Sequence, residues 1–218
     1  MAATPWLFPS VAVAMTDLLN GNPIGSNTTN ANNAQAEDNV FASIRRGANG
    51  QREDAPLRVA GFPVNAHLPA GAVVTGLEVL VSRYAQAAGA YDTAVSDQAV
   101  RLVMHSGRTA YRDVQTGQNH AITDQIGSNL ASSAVWPTAK ATALYGGATQ
   151  MWGAGLTDAQ IRDPNLGLDL LILGGGKGAA NGYIDSIQLR VHYDGGGSTE
   201  PEPEPTPSRR LPRSVFIF

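Results

Sequence analysis

Residues 187–193 alternate without a break: Ile187, Leu189, Val191 and Tyr193 on one parity, Gln188, Arg190 and His192 on the other. In an extended strand successive side chains point to opposite faces, so this pattern requires a strand with one apolar and one polar face. The same period recurs upstream. Within residues 73–83, Leu77, Val79 and Val81 share a face, while Glu78 and Ser82 take the other. Residues 98–105 direct Val100, Leu102 and Met104 inward and Arg101 outward, and residues 140–145 gather Ala141, Ala143 and Tyr145 on one side with Ala139 before them. Leu166, Leu168, Leu170 and Ile172 repeat with the same period, and Leu171 and Leu173 make the opposite face apolar too. Residues 40–44 and 57–62 supply two shorter strands.

One segment reads as a helix. Thr157 is its N-cap, Gln160 three residues on completes a capping box, and Asp163-Pro164 ends it. Many strands with turn-rich connections and no strand–helix–strand alternation predict an all-β fold: an antiparallel β-sandwich, jelly-roll-like, with one short helix. The expected domain covers residues 1–194, and its Asn-rich stretch at 20–39 is too poor in apolar residues to form core.

Composition narrows the partners. The chain has 24 Gly, 13 Pro and no Cys, which excludes disulfides and thiolate metal sites. Net charge is −3, and no segment before residue 208 clusters Lys or Arg, so nucleic acid is not expected as the main partner. No stretch reaches the ~20 apolar residues of a membrane span. The first fifteen residues lack a basic start and are broken by Pro5 and Pro9, unlike a conventional secretory signal.

Candidate chemistry is sparse. Gly174-Gly175-Gly176-Lys177-Gly178 follows a strand, but a phosphate loop needs Ser or Thr after the Lys and a helix beyond it; a strand follows instead, and a hairpin loop is the better reading. His67, His105, His120 and His192 have no ligand-spaced companions, and His192 is expected to be solvated on the polar face of the last strand. Asp92 and Asp97 in residues 91–97, with Asp124 further on, fit a calcium loop only in part and read as acidic loop. No Gly-x-Ser-x-Gly elbow is present. Asn27-Thr28-Thr29 matches the glycosylation sequon, a pattern that recurs by chance. No catalytic, metal or cofactor site is therefore expected. Trp136, Tyr145 and Trp152 are the candidate interface or glycan contacts; core or seam is the favoured role over a sugar-stacking platform.

Beyond the domain the character changes twice. Residues 195–207 form a linker, glycines followed by alternating Glu and Pro; polyproline II at about 3.1 Å per residue makes 200–207 a stiff spacer of roughly 25 Å. Residues 208–218 combine Arg209, Arg210 and Arg213 with Val215, Phe216, Ile217 and Phe218. Apolar residues displayed beyond a hydrophilic spacer are a liability unless something receives them, so this segment is the expected docking peptide.

Three further segments occur in order. Leu68-Pro69-Ala70-Gly71-Ala72 runs into Thr75-Gly76-Leu77-Glu78-Val79; Tyr145-Gly146-Gly147 precedes Met151-Trp152-Gly153 and Leu156-Thr157; and Tyr183-Ile184-Asp185-Ser186-Ile187 opens the closing strand. Over residues 68–194 this set resembles jelly-roll proteins of bacteriophage virions. The resemblance implies a virion component (capsid decoration, head-fibre, neck or tail accessory) assembled in the bacterial host cytoplasm, whose partners are other virion proteins and further copies of itself, with no membrane involved. It implies no catalytic residues. The alternative function is a receptor- or glycan-binding module on a virion or bacterial surface.

Overall fold

The computed structural model describes residues 1–19, 22–24, 28–46, 56–88, 94–105, 110–111, 125–174 and 179–196. Its early strands are β1 (Ala2–Ala3), β2 (Val11–Ala14), β3 (Thr16–Leu19), β4 (Asn22–Ile24), β5 (Thr28–Thr29), β6 (Ala42–Arg46) and β7 (Leu57–Ala60). Then come β8 (Ala72–Ala88), β9 (Val95–Met104), β10 (Ala110–Tyr111), β11 (Gln125–Ile126), β12 (Ala141–Gly146), β13 (Leu166–Gly174) and β14 (Ala179–Gly195). Two short helices, α1 (Val64–His67) and α2 (Asp158–Arg162), and a 3-10 turn at Ala31–Ala34 complete it.

The strands form two facing antiparallel sheets, ordered β12-β8-β14-β6-β5 and β11-β9-β13-β7-β2, plus a small third sheet, β10-β3-β4. Among the eight strands β6 to β9 and β11 to β14, the first pairs with the last (β6 with β14), the second with the seventh (β7 with β13), the third with the sixth (β8 with β12) and the fourth with the fifth (β9 with β11). An antiparallel ribbon rolled on itself gives this nesting, and it is the jelly roll. The fold expected from the alternation is the fold observed.

Apolar parity decides what lies between the sheets. Leu77, Val79 and Val81 of β8, Ile187, Leu189 and Val191 of β14, and Leu166, Leu168 and Leu170 of β13 are all buried. In β9 the inward reading holds for Val100 and Leu102, Met104 is half-buried, and Ala99 and Val103 are buried as well. The capping box forms as read: Thr157 Oγ1 accepts from Gln160 N while Gln160 Oε1 accepts from Thr157 N. The helix then places Ile161 in the core.

Several readings need correction. The Asn-rich stretch does contribute to the core, because the turn at Ala31–Ala34 brings Ala34 to zero exposure. The polar face of β8 and β14 is not simply wet: Glu78, Ser82, Ser186 and Gln188 are buried. One cause is the N-terminal segment, which runs beside β14 through Ala2↔Tyr193, Ala3↔His192 and Leu7↔Leu189 and lays Trp6 over Arg190, 4.2 Å from ring centroid to guanidinium. His192 accordingly is mostly covered rather than solvated, its Nε2 2.9 Å from Glu78 Oε2. Burial opposes the Glu78 charge, but contacts from His192 and Arg190 outweigh it and hold the carboxyl below its ordinary value. Finally, β13 and β14 belong to different sheets and are not paired as a hairpin; residues 175–178 of the glycine run lie outside the described residues.

Candidate functional site

Two of the three expected contact residues meet at one buried group. Asp97 projects from β9 into the space between the sheets, and Arg83 of the facing sheet pairs with it. Asp97 Oδ1 also accepts the indole N–H of Trp136 at 2.8 Å, and Oδ2 accepts the Tyr145 hydroxyl at 2.9 Å and the Ser132 backbone N–H at 3.0 Å. The Arg83 guanidinium lies 4.4 Å from the Trp136 ring centroid and 5.4 Å from that of Tyr145. A carboxylate taken out of water persists only when paired and hydrogen-bonded, and this one is satisfied from both sheets and the 127–140 loop. Burial, with the Asp97 charge behind it, drives the Tyr145 hydroxyl pKa far above its ordinary value. The cluster is an inter-sheet clasp. It offers nothing that could transfer a proton to a solvent-borne substrate.

Trp152 lies elsewhere in the core, fully buried, with its indole N–H donating to Leu77 O at 3.0 Å. Its backbone is left-handed, φ 56°, and its carbonyl accepts the Ser128 N–H at 2.5 Å. Around it the ordered sequence segments converge. A Cβ on Gly76 would stand 2.2 Å from Gly147 O and 2.5 Å from Ala148 O, so β8 meets the backbone after β12 where Gly76 leaves no room for a side chain. Gly146, at φ 81°, has no room for a Cβ beside Leu77 O either. Gly76, Gly146 and Trp152 thus meet at one tight junction between β8 and the segment after β12.

With Trp136, Tyr145 and Trp152 at 2%, 5% and 0% exposure, the three make no stacking platform on the surface; of their expected roles the structure favours core. The docking residues Arg209, Arg210, Arg213 and 215–218 lie outside the described residues, as do His120, Asp92 and Asp124. Among the described residues no three His, Cys, Asp or Glu side chains gather as a metal site, and no helix is long and apolar enough to cross a membrane.

Two surface features escaped the sequence reading. Tyr84 and Tyr183 are cross-strand partners whose rings stack at 4.7 Å, with Phe41 edge-on at 5.1 Å to Tyr84. Tyr84 has the outward parity of β8, but Tyr183 shares the parity of the inward Ile187 and Leu189 and joins Tyr84 only because the register shifts between Ile184 and Ser186. The second feature is the outer edge of β12, the terminal strand of its sheet, where Ala141, Thr142 and Leu144 are exposed. No protein-family model, curated protein or solved structure matches the chain. The jelly roll is what is shown.

Proposed function

We propose that the protein is a non-enzymatic building block of a phage or phage-like particle, held to a neighbouring particle protein by residues 208–218. The observation that carries this reading is the filled jelly roll. The interior between its sheets is occupied by packed apolar side chains and the Asp97 clasp, and Trp136, Tyr145 and Trp152 are part of it. Jelly rolls of this type serve repeatedly as capsid and lectin domains, where surfaces and edges make the contacts. The junction at Gly76, Gly146 and Trp152 joins two of the segments that resemble virion proteins.

In this reading the Glu-Pro spacer lets the domain stand off its anchor and raises the local concentration of further contacts. Deleting residues 208–218 leaves thermal unfolding of the domain unchanged within ~0.5 kcal/mol, since in this reading the segment docks on a neighbour and not on its own domain. It abolishes incorporation, measured as copies per purified particle. Particles carrying the truncated protein at full occupancy overturn the tether.

A further inference from the structure

The backbone register identifies which groups of β12 are unused. Leu189 N–H bonds to Leu7 O and Thr4 N–H bonds to Val191 O, so the odd residues of β14 turn away from β8 and the even ones bond to it. The partners of those even residues in β8 are Leu80 and Ser82, which leaves Val79 and Val81 to bond β12 through Tyr145 and Ala143. The Gly147 N–H to Leu77 O bond, on the same parity, agrees. Thr142 and Leu144 therefore direct their N–H and C=O groups to the open side, and none of the described residues pairs with that side.

Edges are normally blunted by shortness, charge, proline or a bulge. Of the other terminal strands in the two main sheets, β5 and β11 are two residues long and β2 is four. β12 has six residues, Ala141–Gly146, with no charge and no proline, and Leu144 beside it is 54% exposed. It is the least protected edge among the described strands.

Resting on the tether reading above, we infer that this edge receives residues 215–218 of a second copy of the chain, adding a strand beside Thr142 and Leu144. Two outward residues offer two donors and two acceptors, which a four-residue strand satisfies with its alternate residues. Val215, Phe216, Ile217 and Phe218 are all strand-favouring, and the aromatic side chains would cover Leu144. The charge balance fits as well. The chain totals −3 although residues 208–218 contribute three arginines and no acid, so the remainder is net acidic. A second copy is favoured over the chain's own edge by the exit path. β14 ends with Gly195 opposite Ala72, while β12 meets β8 no nearer than Glu78. The start of the tail is thus displaced by about 20 Å along the sheet and β14 ends running away from β12, so the direct path leads to a neighbour.

The test uses the full-length protein and measures mass by light scattering across a concentration series. Wild type associates, and both removal of 208–218 and Thr142→Pro weaken association at least ~10-fold, the proline because it deletes an N–H that β8 does not use. Near-UV circular dichroism verifies the fold of the variant; if Thr142→Pro unfolds, Leu144→Lys, a charge on the same strand, carries the test with the same expected loss. A monomeric wild type, or association unchanged in the folded edge variant, overturns the inference. If the edge variant still enters particles at full occupancy while the truncated chain does not, the tether stands and the edge assignment falls.

Discussion

Replacing Asp97 by Asn keeps the shape of the clasp and removes its charge. The carboxylate accepts from Arg83, Trp136, Tyr145 and Ser132, each oxygen serving two donors. In the amide one of those oxygens becomes an NH2 group. Turned toward Arg83 and Trp136, the amide nitrogen faces two donors; turned toward Tyr145 and Ser132 it faces one, because the Tyr145 hydroxyl can rotate and accept from it. At least one lost bond costs about 1–3 kcal/mol, and a buried guanidinium stripped of its counter-charge raises this to about 3–5 kcal/mol in comparable pairs. Arg83 is 5% exposed, so water does little to relieve it. We expect a loss of about 4 kcal/mol, a large part of the 5–15 kcal/mol typical of a whole domain. In urea, with a slope of about 2 kcal/mol/M, the midpoint falls by about 2 M; Trp136, touching the clasp, serves as fluorescence reporter. The double substitution Asp97→Leu with Arg83→Met leaves no buried charge but orphans the Trp136, Tyr145 and Ser132 donors, so it is expected to stay destabilised. A loss below ~1 kcal/mol for Asp97→Asn, with an unchanged slope, refutes the clasp as a stabilising unit.

Two further outcomes follow from the same core. The Tyr145 hydroxyl, held protonated in the fold above its ordinary value of 10.0, contributes stability that is intact below pH ~10 and declines as pH rises beyond it. In an alkaline titration at 295 nm its ionisation therefore coincides with unfolding, and Tyr145→Phe removes that step; tyrosinate formation at Tyr145 in the folded protein near pH 10 would contradict this. Gly146→Ala puts a methyl 2.1 Å from Leu77 O at a left-handed φ, and is expected to destabilise by at least ~3 kcal/mol in denaturant melts, whereas a near-neutral effect would show that the junction can open.

The alternation of Leu77/Val79/Val81 with Glu78/Ser82, and of Ile187/Leu189/Val191 with Gln188/Arg190, was enough to read a sandwich, because burial of one parity is a local property of the chain. What covers the other parity is not local. Glu78 meets Arg190 across 112 residues, Arg58 meets Asp169 across 111, and Asp185, fully buried, accepts from Asn39 N–H across 146. No window of sequence contains both members of such a pair. The strand ends were missed for a similar reason: β8 and β14 each run to seventeen residues, and their outer portions are rich in Ala and Gly, which carry little periodic contrast. The aromatic contacts were chosen by residue type, yet Trp136 and Tyr145 serve Asp97, a partner whose position became visible only once β9 lay opposite β8. The edge of β12 is a property of strand order, which the sequence of that strand does not contain.

The pairing of β8 with β14 also sets a schedule for the chain's birth. Its contacts extend from Ala88↔Ala179 to Ala72↔Gly195, so every one closes a loop of more than ~90 residues. While the ribosome is still adding the segments between them, β8 waits with Leu77, Val79 and Val81 uncovered and the edge that β14 will take free. At 5–20 residues per second that interval lasts about 5–20 s, long enough for encounters with neighbouring nascent chains. A protein built this way depends on its last strand to close the sheet, and is most exposed to misassembly in the seconds before that strand arrives.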